Sequence, residues 1–106
     1  LRPLALASGA RNDLMPGVPT FKELGWPAID ATAYRGLIAP AGTPRDAILK
    51  INAAANKALQ LPAVRKRFTD VGYQVLGGTP DEYGKILRSE MEKWGRIIRG
   101  AGIRVE

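Results

Sequence analysis

The tripeptide Gly-Thr-Pro occurs twice, at 42–44 and 78–80, and an acid follows each copy within two residues, Asp46 in one case and Asp81 with Glu82 in the other. This pattern constrains the fold more than any other feature of the chain, because it fixes where two helices begin. A threonine hydroxyl accepts a hydrogen bond from the unpaired amides of a first turn, and proline supplies a preset φ where no amide donor is needed. At the second copy Thr79 reads as the N-cap, Pro80 as the first helical residue and Glu82 as the acid that closes a capping box. Thr43, Pro44 and Asp46 repeat the arrangement. Thr20 with Glu23 makes a third start, for a short helix that Gly25 and Pro27 must end. The residues after the two Gly-Thr-Pro copies do not match each other, so shared capping chemistry explains the repetition better than an internal repeat.

Downstream of Thr43, the residues Ile48, Ile51, Ala55, Ala58 and Leu59 recur at helical spacing and predict one core-facing stripe. Pro62 restarts the helix, with Val64, Phe68 and Val71 on one side and Gly72 as a left-handed stop, although Leu61 cannot cap it. After Thr79 a longer stripe runs Tyr83, Leu87, Met91, Trp94 and Ile98, widened by Ile86 and Ile97. Trp94 and Trp26 read as packing anchors. Three segments read as strands: Leu4-Ala5-Leu6-Ala7, Ala33-Tyr34-Arg35-Gly36-Leu37-Ile38-Ala39 and Tyr73-Gln74-Val75-Leu76. Strands alternating with helices predict an α/β arrangement, a short sheet covered by amphipathic helices. The stretch 8–19, with its Gly, Asn, Asp and Pro, reads as a loop.

The chain contains no cysteine and no histidine. It therefore lacks the thiolate nucleophile, the usual acid/base imidazole and the two best transition-metal ligands, and a Ser-His-Asp or Cys-His mechanism is excluded. Asp30, Asp46, Asp81, Glu82, Glu90 and Glu92 fall in helical first turns or on polar faces and include no pair that needs a catalytic explanation. No enzyme activity, cofactor or metal is expected. Of 106 residues, 45% are hydrophobic and 25% charged, as in soluble globular chains, and no apolar run approaches the roughly 18 residues that span a bilayer. The first residue is leucine, so the chain is expected to have been cut from something longer. Its net charge of +6 is compatible with nucleic acid, a membrane surface or an anionic solute.

Three blocks carry a family likeness. Arg2-Pro3-Leu4-Ala5-Leu6-Ala7 followed by Met15-Pro16-Gly17-Val18-Pro19-Thr20-Phe21-Lys22-Glu23-Leu24-Gly25 resembles the passage "RALAV… LPDVPTxxEAG" of Bug-type extracytoplasmic solute receptors, the substrate-binding proteins of tripartite tricarboxylate transporters. Ala33 to Pro44 is similar to that family's "WFGLxAPAGTP". Gly72 to Tyr83 with Lys93-Trp94-Gly95 and Ala101-Gly102-Ile103 is similar to its "LGxxPxGGSPEEF… KWGxVVKxAGI" ending. The likeness covers essentially all 106 residues in order. It implies the carboxy-terminal portion of a type II periplasmic-binding-protein fold, whose two lobes close on a small carboxylate or related polar solute and deliver it to a membrane permease. Residues 1–28 would be the returning end of the second lobe and 29–106 the carboxy-terminal part of the first. The implied location is the periplasm. Much of the family's ligand cradle comes from earlier in the chain, so this portion alone is expected to bind solute poorly.

Tyr34 and Arg35 lie where the chain would re-enter the first lobe, and they are the candidate ligand-binding residues. A guanidinium can bind carboxylate through two parallel hydrogen bonds, while strand alternation sends neighbouring side chains to opposite faces. Many relatives have an aromatic pair here, a departure that bears on any carried-over contact. Arg65-Lys66-Arg67 and Arg88, Lys93, Arg96, Arg99 and Arg104 support an alternative, a small basic nucleic-acid-binding module. Asp70, Glu90 and Glu92 interrupt the series and aromatic residues do not alternate with the cations, so no nucleic-acid partner is expected. A further alternative is a self-associating interaction domain, since exposed sheet edges and uncovered apolar faces tend to pair with a second copy.

Overall fold

The computed structural model describes residues 1–103. Arg104, read above as part of the cationic series, lies outside the described residues. Three helices are present among them: α1 (Arg45–Leu59), α2 (Pro62–Thr69) and α3 (Pro80–Gly100). The chain divides into two compact units, one made of Leu1–Leu37 with Gln60–Val75, the other of Ile38–Leu59 with the chain from Leu76 onward.

In the first unit, the expected strand at 4–7 makes one parallel bridge, between Leu6 and Thr20. Leu6 N–H donates to the Pro19 carbonyl at 2.9 Å and the Leu6 carbonyl accepts from Phe21 N–H at 3.0 Å. Ala7 accepts from Ala31 N–H at 2.9 Å, which ties the returning chain to the same segment. The segments at 33–39 and 73–76 form no ladder, so the expected short sheet is absent among the described residues. The reason is that β-propensity is only half of a strand: its amides and carbonyls need a neighbouring edge to receive them, and among the described residues 19–21 and Ala31 serve the segment at 4–7 alone. Their apolar side chains are left uncovered, with Leu37 72%, Ile38 83% and Leu76 66% exposed.

The third expected helix start makes a single turn instead. Thr20 and Glu23 exchange the hydrogen bonds of a capping box, Thr20 N–H to Glu23 Oε2 at 2.8 Å and Glu23 N–H to Thr20 Oγ1 at 3.2 Å. Trp26 N–H then returns to the Phe21 carbonyl at 2.9 Å, and the proline that follows at 27 forbids another turn. Trp26 is 63% exposed, so it is no packing anchor. Helix α2 starts at Pro62 with Leu61 in the cap position and no side-chain cap, as its sequence requires. Gly72, at φ +83°, reverses the chain after α2 and brings Tyr73 N–H back to the Phe68 carbonyl at 3.0 Å.

In the second unit, α3 begins as its sequence dictates. Thr79 Oγ1 accepts from Glu82 N–H at 3.2 Å and Glu82 Oε2 accepts from Thr79 N–H at 2.7 Å, completing the capping box before Pro80. The Thr79 N–H and then the Thr79 hydroxyl, which also donates to Glu82 Oε2 at 2.8 Å, hold the Glu82 carboxyl below its ordinary range. The first Gly-Thr-Pro behaves differently. Thr43 Oγ1 donates back to the Pro40 carbonyl at 2.8 Å, so it closes the preceding turn rather than capping α1.

The half-buried side of α1 carries Ile48, Asn52, Ala55, Asn56 and Leu59, whereas Ile51 and Ala58 of the expected stripe are exposed. Two asparagines replace them because they grip the glycine turn before α3. Asn56 Nδ2 donates to the Gly78 carbonyl at 2.8 Å, Asn56 Oδ1 accepts from Gly78 N–H at 3.0 Å, and Asn52 Nδ2 adds a bond to the same carbonyl at 2.9 Å. A side-chain amide thus bridges the N–H and the carbonyl of one residue, Gly78. Arg45 and Asp81 reinforce the junction with paired bonds of 3.1 and 2.8 Å, and Arg45 draws the Asp81 carboxyl below its ordinary range. On α3, Trp94 Nε1 donates to Glu90 Oε2 at 2.9 Å, and Met91, expected on the apolar stripe, is 75% exposed. No hydrophobic side chain among the described residues is fully buried, and Thr20 is the one buried polar residue.

Candidate functional site

The two sequence-predicted ligand residues lie in the first unit, in the uncovered segment before Leu37. Arg35 is exposed, and its guanidinium carbon sits 5.0 Å from the centroid of the Tyr73 ring. Tyr73 in turn meets Phe68 edge to face, with centroids 6.4 Å apart and planes at 70°. The reversal at Gly72 and the end of α2 therefore build an aromatic platform, and the chain returning at 35 lays a cation on it. A guanidinium on an aromatic face still presents its N–H edge, the edge that pairs with carboxylate oxygens. Tyr34 is 39% exposed and its hydroxyl makes no hydrogen bond among the described residues. The structure thus brings Arg35 to Tyr73, which Phe68 flanks, and leaves Tyr34 apart. Tyr73 and Phe68 were missed as site residues; the available signal was the glycine after α2, which requires the chain to turn back at that point.

A second polar cluster flanks an open recess of about 420 Å³ lined by Gly9, Ala10, Arg11, Thr20, Lys22 and Glu23. Arg11 donates from Nε and Nη2 to Glu23 at 2.9 and 2.8 Å and from Nη1 to the Pro16 carbonyl at 3.0 Å. Glu23 is consumed twice, by this pair and by the Thr20 turn. The Arg11 hydrogen bonds, then the Thr20 amide, hold its carboxyl down at about 2. Asn12 fixes the other end of the loop, accepting from Leu14 N–H at 2.9 Å and donating to the Gly72 carbonyl at 3.0 Å. Every polar group in this cluster except Lys22 is engaged in holding backbone, which makes it a clasp for the loop 8–19.

The Glu23 carboxyl makes this clasp sensitive to acid. Its folded pKa lies below the ordinary 4.5, so the stabilisation from the charged form is complete above about 4.5 and is lost as pH falls through about 2. Carboxyl-resolved NMR titration is expected to give a Glu23 midpoint near 2, returning toward 4.5 in Arg11→Met. An unchanged midpoint in that variant contradicts the assigned cause.

No group of three or more Asp and Glu among the described residues is placed to hold a metal ion. No described helix is long and apolar enough to cross a membrane.

A profile described as the tripartite tricarboxylate transporter family receptor matches residues 1–103. Protein BugT of Bordetella pertussis is 34% identical over 106 residues, covering 100% of this chain and 32% of its own length. A protein of Pseudomonas sp. strain P51, described as the UPF0065 protein in the tcbD-tcbE intergenic region, is 34% identical over 99 residues, covering 92% of this chain and 30% of its own length. A UPF0065 protein from the clcB-clcD intergenic region of Pseudomonas knackmussii is 30% identical over 99 residues, 92% of this chain and 59% of its own. The matches define a chain of the receptor class. It belongs to the tripartite tricarboxylate transporter receptor family. The chain spans about a third of the length of the first two of these relatives.

Proposed function

We propose that this chain forms the carboxy-terminal part of a periplasmic receptor that captures a small carboxylate or related polar solute for the permease subunits of a tripartite tricarboxylate-type transporter. The observation that carries the reading is the family match across residues 1–103. Residues 1–28 are proposed as the end of one lobe and 29–106 as part of the other. The uncovered apolar side chains support a chain that works against further polypeptide: Leu37, Ile38 and Leu76 occupy segments with strand sequences that pair with no strand among the described residues. Arg35 and Tyr34 are proposed to contact the solute. Arg35 is the stronger of the two, because it is exposed and its guanidinium rests on the Tyr73 ring. The role is binding rather than catalysis.

The test is calorimetric titration of the full-length receptor with di- and tricarboxylates. Saturable binding of one equivalent is expected, and a flat response to every carboxylate contradicts the proposed solute class. By itself the chain is proposed to self-associate through its uncovered apolar faces. Light scattering that finds only monomer at high concentration contradicts that part.

A further inference from the structure

The acids of α3 are nearly all taken. Asp81 pairs with Arg45, Glu82 closes the capping box, and Glu90 accepts from both Lys93 and Trp94. Four cations on the same helix, Lys85, Arg88, Arg96 and Arg99, are exposed and make no hydrogen bond or ion pair among the described residues. At about 100° per residue they fall within a sector of roughly 80° and spread along about 21 Å of helix, with Glu92 the one acid in that sector not already paired. Local pairing therefore takes up Asp81, Glu82 and Glu90 and leaves four cations beside one acid, Glu92, so the stripe carries a net positive charge.

The stripe has an apolar border. The guanidinium nitrogens of Arg88 and Arg99 lie 3.5 and 3.2 Å from where a Cβ would stand on Gly84 and Gly95, each one turn earlier. Two arginines thus recline over glycines on the flank from which Met91 projects, 75% exposed. Arginine pairs with phosphodiester oxygens through two hydrogen bonds, and a bilayer surface presents those oxygens beside acyl chain. A nucleic-acid groove offers phosphates but nothing for Met91, and α3 places no aromatic ring within the stripe for bases to stack on.

We propose that this face of α3 docks on an anionic phospholipid surface, with Lys85, Arg88, Arg96 and Arg99 at the headgroup phosphates and Met91 entering the headgroup boundary. The proposal rests on the charges of one helix and is independent of the solute-receptor reading.

Cosedimentation of the chain with phosphatidylcholine vesicles, with and without phosphatidylglycerol, tests it. Binding is expected only where phosphatidylglycerol is present, weakening as salt is raised. The variant R88Q/R96Q/R99Q is expected to lose roughly 100-fold in affinity, at about fivefold per cation. Met91→Gln is expected to lose several-fold. An equal-charge control, R2Q/K57Q/R67Q, keeps the stripe and is expected to bind about tenfold more tightly than the α3 variant, with unchanged helicity by circular dichroism in every case. Equal losses in the two triple variants overturn the proposal in favour of net charge alone. So does absence of binding to the phosphatidylglycerol vesicles, or a preference for polyglutamate or DNA over them.

Discussion

Gly77→Ala is expected to destabilise the α1–α3 unit by about 2–3 kcal/mol, and the value follows from two terms. Gly77 has φ +71°, where a side chain carries strain of about 1–2 kcal/mol. A Cβ built there stands 2.8 Å from Asn56 Oδ1, the oxygen that accepts from Gly78 N–H. The asparagine must rotate away, weakening a hydrogen bond worth about 1 kcal/mol net. Asn56→Ala removes the grip without backbone strain and is expected to lose about 1–2 kcal/mol for its two bonds to Gly78. Urea denaturation followed by helical circular dichroism reads both. The double variant is expected to lose less than the sum, because one contact is shared. Additive losses contradict the clamp. The effect is large for a polar contact because no fully buried apolar side chain among the described residues backs it up.

Arg35→Ala in the full-length receptor is expected to weaken binding of the cognate carboxylate by roughly tenfold to a hundredfold, the range for a hydrogen bond to a charged group. The geometry makes the pattern across variants specific. Tyr73→Phe keeps the ring under the guanidinium and is expected to leave affinity unchanged. Tyr73→Leu removes the platform and is expected to give an intermediate loss, because the arginine keeps its charge but not its orientation. Arg35→Lys does not restore binding, since an ammonium lacks the planar fork. Unchanged affinity in Arg35→Ala removes this residue from the site.

Much of the helical structure was legible because its determinants are local. Thr79-Pro80-Asp81-Glu82 names the start of α3 residue by residue, and Pro62 and Gly72 bound the α2 segment. The same grammar misled at Thr43, where a proline carbonyl three residues back competes for the hydroxyl and wins. Hydrophobic periodicity misplaced the inner face of α1 because Asn52 and Asn56 scored as polar, and their partner, the Gly78 peptide, lies in another part of the chain. The strands show the limit most clearly. Their sequences carry β-propensity, but pairing is non-local, and among the described residues the one bridge is that of Leu6 with Thr20. The aromatic platform beneath Arg35 escaped notice for the same reason, since Arg35 and Tyr73 meet only after the chain has passed through α1 and α2.

The proposed receptor reading requires the strand sequences at 33–39 and 73–76 to find their partner edges in further polypeptide. Amide hydrogen exchange at residues 33–39 and 73–76, measured on the chain alone and within the full-length receptor, tests this most directly. Rapid exchange in the isolated chain and protection of a hundredfold or more in the receptor are expected, roughly what a buried ladder provides. Equally rapid exchange of these amides in both would contradict the account.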